Sequence, residues 1–274
     1  MRTLTRRKLL KAAGAVGVLG ASGIAYSRWD TEDLELSHRT FHLPAWQGKS
    51  LKIGYISDAH LYSEDAVKRT QRACRFLVDE NPDAIFFGGD FVEATVPNSV
   101  NNIADAFKGL RHFHGPKCAV LGNHDYAIHN SFRVFEEASR AGFRVLKNSV
   151  LEVKGANIVG LDCMSFHLGR PEIVSDFARN SNVILLVHEP DAVLQIDPGL
   201  VSLAVAGHSH GGQICLPGGI ALHTPPLARK YVSGYYPRAN APLYVSRGLG
   251  VTELPFRLFC RPEATIITLR GLEN

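Results

Sequence analysis

Residues 200–213 read LVSLAVAGHSHGGQ. The apolar run LVSLAV (200–205) has the length and composition of a buried strand. It ends at once in two histidines, His208 and His210, one residue apart among glycines. The same layout recurs upstream. LKIGYI (51–56) leads to Asp58 and His60, DAIFFGG (83–89) to Asp90, KCAVLG (117–122) to Asn123, His124 and Asp125, and NVILLV (182–187) to His188. Helix-like stretches lie near 64–80 and 98–111, and SFRVFEEASRAG (131–142) reads as a capped helix ending at Gly142. Strands alternating with helices predict an α/β sheet with parallel components. In open α/β sheets, ligands bind beyond the carboxyl ends of the strands. A lone histidine after a strand is usually a satisfied loop residue; five such ends in order point instead to one cleft.

The donors offered there are Asp58, His60, Asp90, Asn123, His188, His208 and His210. One divalent ion rarely uses so many protein ligands, whereas two ions sharing a carboxylate would. Nitrogen and oxygen donors without thiolate suit Mn, Fe or Zn. In extended segments, residues i and i+2 project to the same side, so Asp58 with His60, and His208 with His210, are expected to point into a site. The adjoining glycines let the backbone turn sharply and approach a bound group.

The ordered set Asp58-Ala59-His60, Gly89-Asp90-Phe91-Val92-Glu93, Gly122-Asn123-His124-Asp125, His188 and Gly207-His208-Ser209-His210 resembles the calcineurin-like metallophosphoesterase superfamily. The resemblance covers roughly residues 49–270. Each motif alone is short, but five in the family's order and spacing are specific. AGHSHGGQICLPG (206–218), YVSRGLG (244–250) and RPEATIITL (261–269) further resemble its bacterial phosphodiesterase branch, some members of which carry twin-arginine signals. The resemblance implies a four-layer α/β/β/α sandwich with two divalent metal ions at the C-terminal ends of the strands. By matching position, Asp58, His60 and His210 would hold one ion, Asn123, His188 and His208 the other, and Asp90 would bridge them. The implied reaction is hydrolysis of a phosphate ester by in-line attack of a metal-bridging hydroxide. His124 is expected to donate a proton or hydrogen bond to the phosphate or leaving group, with Asp125 orienting its ring; the competing role is a third ligand to the second metal. Glu93 stands where the family more often has Asp.

Composition bounds the rest. The 274 residues are 45% hydrophobic, enough for one large core or two modest ones. Residues 1–28 hold six basic side chains and no acidic one, so the net charge of +4 belongs to that segment. No nucleic-acid-binding module is evident. MRTLTRRKLLKAAGAVGVLGASGIAYS (1–27) has a basic start and a weakly apolar run, the layout of an export signal. TRRKLLK (5–11) resembles the twin-arginine consensus. The twin-arginine translocase is therefore an expected partner, and the protein is expected in the periplasm or on the outer face of the cytoplasmic membrane. No convincing A-x-A cleavage site follows, which leaves N-terminal anchoring and membrane association open. The expected organisation is a signal or anchor over 1–28, a lead-in over 29–48 with an edge strand, and a catalytic domain over 49–274.

Five cysteines without a C-x-x-C suggest neither a complete disulfide framework nor a thiolate zinc site, and read as small buried residues. LARKYVSGYYPR (227–238), with Arg247, Arg257 and Arg261, could line an anionic or lipid-facing cleft, or form a solvated face with partly buried aromatics. No Walker loop, G-x-S-x-G elbow or Rossmann fingerprint appears. Besides a phosphodiesterase, two readings stay open: a pyrophosphatase acting on a nucleotide-linked lipid precursor such as UDP-diacylglucosamine, and a metal-stabilised binding protein without turnover.

Overall fold

Both faces of the central strands are apolar, so each sheet must be covered twice. The computed structural model describes residues 27–272 apart from 29, 45, 97 and 179–181. The paired arginines Arg6 and Arg7 lie outside the described residues. Two six-stranded sheets face each other. The first runs β1 (Glu35–His42), β14 (Glu263–Arg270), β2 (Leu51–Ile56), β3 (Ala84–Phe87), β4 (Lys117–Ala119) and β5 (Arg144–Val145). The second runs β12 (Gly234–Tyr236), β13 (Leu243–Val245), β9 (Leu203–Ala206), β8 (Asn182–Leu186), β7 (Ala156–Gly160) and β6 (Ser149–Val153). Strands β2 to β5 pair in parallel, as do β7, β8, β9 and β13. A separate hairpin joins β10 (Cys215–Leu216) to β11 (Ile220–Ala221).

Period-two alternation sorts the side chains into layers. Ile53, Tyr55, Phe86 and Cys118 of the first sheet meet Ile158, Ile184, Leu186, Leu203 and Val205 of the second. Ile85, Phe87 and Ala119 point the other way, onto a helical layer. That layer contains α1 (Glu64–Asp79), α2 (Ile103–Ala106), α3 (Asn123–Ala127) and α4 (Ser131–Arg140). Ser63 Oγ caps α1 by accepting from Ala66 N at 3.2 Å, a contact worth about 1 kcal/mol. Leu77 of α1 lies over Gly54, where an added Cβ would approach it to 3.2 Å. Truncating this fully buried leucine to alanine would cost about 2–5 kcal/mol.

On the far side, Val183, Leu185 and Val187 pack on Val174 and Val193, from α5 (Val174–Phe177) and the 3₁₀ segment Pro190–Gln195. The layer order is therefore α/β/β/α, with a fourth layer made of short helical pieces and loops. The helix expected near 98–111 is likewise broken, into a 3₁₀ turn (Ser99–Asn102), α2, and a second 3₁₀ turn (Lys108–His112). Asn98, Asn101 and Asn102 at its start and Gly109 within it weaken a continuous helix. The edge strand expected within 29–48 is present. It is β1, which pairs with β14 from Glu35↔Glu263 to His42↔Arg270 and closes one edge of the first sheet.

Candidate metal centre

Strands β2, β3, β4, β8 and β9 deliver their polar residues to one end of the sandwich, and the backbone then leaves the extended region at once. Asp58, His60, Asp90, His208 and His210 all have positive φ, between 42° and 67°. Such values are uncommon for residues other than glycine and concentrate at functional sites. The expectation that Asp58-x-His60 and His208-x-His210 stay extended is thus corrected. Asp58 and His60 do converge, but through left-handed turns rather than strand pleating. Cross-loop bonds hold these turns: Asp58 N donates to Gly89 O at 2.9 Å, His60 N to Asp90 O at 3.2 Å and Leu61 N to Phe91 O at 3.0 Å. Phe91 in turn packs on Phe87, with ring centroids 4.0 Å apart.

Three side-chain clusters result: Asp58, His60 and His210; His60, Asp90 and His124; and Asp90, His188 and His208. His208 and His210 therefore face different clusters. Asp90 joins them: its Oδ2 lies 3.2 Å from His188 Nε2 and 3.6 Å from His60 Nε2. His210 Nε2 is 3.0 Å from His60 Nε2, and His208 Nδ1 is 3.2 Å from His188 Nε2. Asn123 Oδ1 lies 3.2 Å from the same His188 nitrogen. All seven candidate ligands are thereby brought together.

The ring tautomers follow from the partners. His188 Nδ1 faces Gly88 O at 2.7 Å, and His208 Nε2 faces Pro226 O at 2.8 Å. A carbonyl can only accept, so those nitrogens carry the hydrogens. His188 Nε2 and His208 Nδ1 therefore face each other at 3.2 Å; burial opposes charge on His188, but the Asp90 carboxylate raises its pKa and favours a proton at Nε2, a place that a cation would take. Asp58 Oδ2 is buried without a hydrogen-bond partner, a costly state unless something positive meets it. These two observations fit divalent ions, as does the mixed nitrogen and oxygen donor set. Burial, helped by His188 and His60 respectively, lowers the pKa of His208 and His210 and favours the neutral ligating form. Burial alone would raise Asp90, but His188 and its neighbours hold it well below the usual carboxylate range.

Asp125 does not orient the His124 ring. Its fully buried carboxylate accepts from the N–H groups of Gly122, Asp90, Phe91 and Val92 at 2.9–3.2 Å. It is the tie that shapes the Asp90 turn. Burial and the nearby Asp90 charge push its pKa up to about 7, against those four donors. The ring partner is Glu93, with Oε1 3.1 Å from His124 Nδ1 and Oε2 3.1 Å from His60 Nδ1. Ala94 N is a longer 3.3 Å from the same His124 nitrogen, and Nδ1–H donates to the ionised carboxylate. Burial opposes charge on His124, yet the Glu93 bond and the Asp90 charge raise its pKa to about 9.

A cavity of about 450 Å³ opens on Asp90, Asn123, His124, His208 and His210. Apolar Ile214, Leu222, Pro225 and Leu254 line it together with polar Gln213, His223, Thr252 and Glu253, whereas residues 227–238 do not. Arg247, Arg257 and Arg261 are committed elsewhere and do not line this cavity. Arg257 is fully buried and donates to the carbonyl oxygens of His210, Arg247, Gly250 and Cys260. Arg247 pairs with Glu35 and Glu263, and Arg261 with Asp33 and Glu35. Sequence reasoning passes over Gln213, whose amide donates to Thr252 O and Leu254 O and accepts from Thr252 N, fixing the cavity rim. Its place directly after GHSHGG is the signal.

The family model for calcineurin-like phosphoesterases matches residues 51–212, the segment that carries all seven candidate metal ligands. The chain belongs to this family. The metallophosphoesterase YkuE of Bacillus subtilis (strain 168) is 32% identical, over 99% of both chains. YpbG of the same organism is 29% identical, covering 96% of this chain and 98% of its own. The phosphodiesterase YaeI of Escherichia coli (strain K12) is 26% identical, over 97% of this chain and 99% of its own. This calcineurin-like phosphoesterase is a metal-dependent phosphoester hydrolase.

Proposed function

We propose that the chain is an exported phosphodiesterase whose two divalent ions are held by Asp58, His60 and His210 on one side and Asn123, His188 and His208 on the other, with Asp90 between. The observation that carries this reading is the shared contact of Asp90 Oδ2 with His60 and His188. Ions bound there supply Lewis acidity for a phosphoryl oxygen and lower the pKa of an attacking water. The protein's own groups do the rest. Nδ1–H contacts to Gly88 O and Glu93 fix the rings of His188 and His60, so that Nε2 of each faces inward. His124, tethered through Nδ1 to Glu93 and lining the cavity, presents Nε2 to the substrate and donates its proton to the departing ester oxygen. The relative named a phosphodiesterase supports a diester substrate.

The test compares bis-p-nitrophenyl phosphate with p-nitrophenyl phosphate on metal-loaded protein. A higher kcat/KM on the diester, lost to chelator and restored by Mn, Fe or Zn, is expected; a preference for the monoester overturns it. Export by the twin-arginine route is supported by Arg6–Arg7 ahead of an apolar run. Arg6→Lys with Arg7→Lys should then trap the protein in the cytoplasm, and an unchanged location would remove that part.

The apolar residues Ile214, Leu222, Pro225 and Leu254 in the cavity lining favour a second reading, a pyrophosphatase acting on a nucleotide-linked lipid precursor. Release of UMP from UDP-diacylglucosamine at a rate exceeding diester hydrolysis would select it.

A further inference from the structure

The loop that carries His208 and His210 rests on two thiols. At Gly211 φ is +62°, and an added Cβ would stand 2.9 Å from Cys260 Sγ and 2.6 Å from Arg247 Cγ. Cys215 Sγ lies 3.3 Å from Gly211 O. Cys260 Sγ lies 3.5 Å from that same oxygen and 3.2 Å from His210 O. The two thiols thus meet at one carbonyl oxygen, that of Gly211. They come from segments far apart in sequence. Cys215 opens β10 and Cys260 precedes β14, and the segments meet where Cys215 N donates to Leu258 O at 2.9 Å. Nothing in the hydrolysis proposed above uses either side chain.

We propose that Cys215 and Cys260 are a modification site, forming a disulfide within the folded protein by exchange with an exogenous disulfide. Cys260 lines a cavity of about 250 Å³ together with Gly218, Gly219, Ser233 and Arg247. Both sulfurs are otherwise buried, Cys260 at 3% and Cys215 at 2% exposure, but Cys215 does not reach that cavity. The order of events follows. The Cys260 thiolate attacks one sulfur of the reagent and expels the other half as a thiolate. Cys215, deprotonated, then attacks Cys260 Sγ and expels the second half. The two cysteines lose two protons and two electrons, and the reagent is reduced to two thiols that take up those protons. Cys74, Cys118 and Cys163 are each fully buried, and none lines that cavity. Cys74 Sγ bonds Ala106 O and Cys163 Sγ bonds Glu189.

The full chain is incubated with oxidised glutathione without denaturant, and its intact mass, peptide map and thiol count after denaturation are then read. The expected product is lighter by two hydrogen atoms, carries one cross-linked peptide pair containing Cys215 and Cys260, and keeps three of the five thiols. Cys215→Ser should stop at a glutathione adduct on Cys260, and Cys260→Ser should leave the four remaining thiols free. Native wild-type protein that keeps all five thiols, or that pairs any other cysteines, overturns the proposal. So does a cross-link that appears only once denaturant is added.

Discussion

The carboxylate of Glu93 stands 3.1 Å from His124 Nδ1, while Asp125, the neighbour of His124 in sequence, is turned to the backbone of Asp90, Phe91 and Val92. The second Glu93 oxygen reaches His60, and Thr252 Oγ1 donates to that oxygen at 3.1 Å. One carboxylate thus sets two rings, a candidate ligand and the candidate acid. Glu93→Gln cannot accept from both, because one of its two terminal atoms becomes a donor. Activity should fall about 10–100-fold, as when the hydrogen-bond partners that orient metal ligands are removed. The check is kcat/KM beside metal content; wild-type rates would discard this role.

His124 shares a cluster with His60 and Asp90, but its role differs from theirs on the reading proposed above. Its Nδ1 is committed to Glu93, and only Nε2 is free for the cavity. His124→Ala should lower kcat about 10²–10⁴-fold, the range for a lost proton donor, with both metal equivalents retained. His210→Ala should lose metal as well as rate. Elemental analysis of the two proteins decides the matter: loss of an ion from His124→Ala would make it a ligand instead.

How much of this is legible before folding differs from residue to residue. The strand ends are legible, because an apolar run that stops at Asp or His states both a strand and its functional end. The sheets' alternation is legible too, since Ile85/Phe87 and Ala84/Phe86 belong to opposite faces by period two alone. The exchange of roles between Glu93 and Asp125 is not. Adjacency to His124 suggests Asp125, but α3 turns that side chain back onto the Asp90 loop. The burial of Arg257 is equally hidden, because four carbonyl partners from separate loops exist only after folding.

Asp125 is therefore expected to matter for stability before chemistry. Asp125→Asn turns one acceptor oxygen into a donor facing buried N–H groups. With each buried unpaired group costing about 1–3 kcal/mol, a total near ~3 kcal/mol is expected. For a domain of this size that is a fall of roughly 6–12 °C in Tm. Calorimetry on wild type and variant measures it; an unchanged Tm would mean the four bonds are not holding the turn.

The glycine of Gly207-His208 is explained by contact rather than by conformation, since its φ is not positive. An added Cβ would collide with Asp58 Oδ2 and stand 2.6 Å from Ser57 Oγ. Gly207→Ala should therefore displace Asp58 and weaken the ion held with His60 and His210, while overall folding persists. The expected result is a normal circular dichroism spectrum with metal content reduced toward one equivalent. Two tightly held ions in Gly207→Ala would show that Asp58 can yield without consequence.

Glu263, the first residue of β14, ties that strand to its surroundings. It accepts from Ser37 Oγ and Tyr244 Oη, each at 2.7 Å, and pairs with Arg247 Nε at 3.2 Å. Burial would raise its pKa, but Arg247 and the hydroxyl donors hold it below the usual glutamate range. A carboxyl whose folded pKa lies below its unfolded value of about 4.3 stabilises the fold fully above that pH. The contribution shrinks as pH falls and the unfolded chain takes up the proton first. Glu263→Gln removes this term. The gap in urea midpoint between wild type and Glu263→Gln should accordingly be wide at pH 7 and narrow toward pH 4. A gap that stays constant, or widens on acidification, would show that the ionised Glu263 is not what stabilises this corner of the sheet.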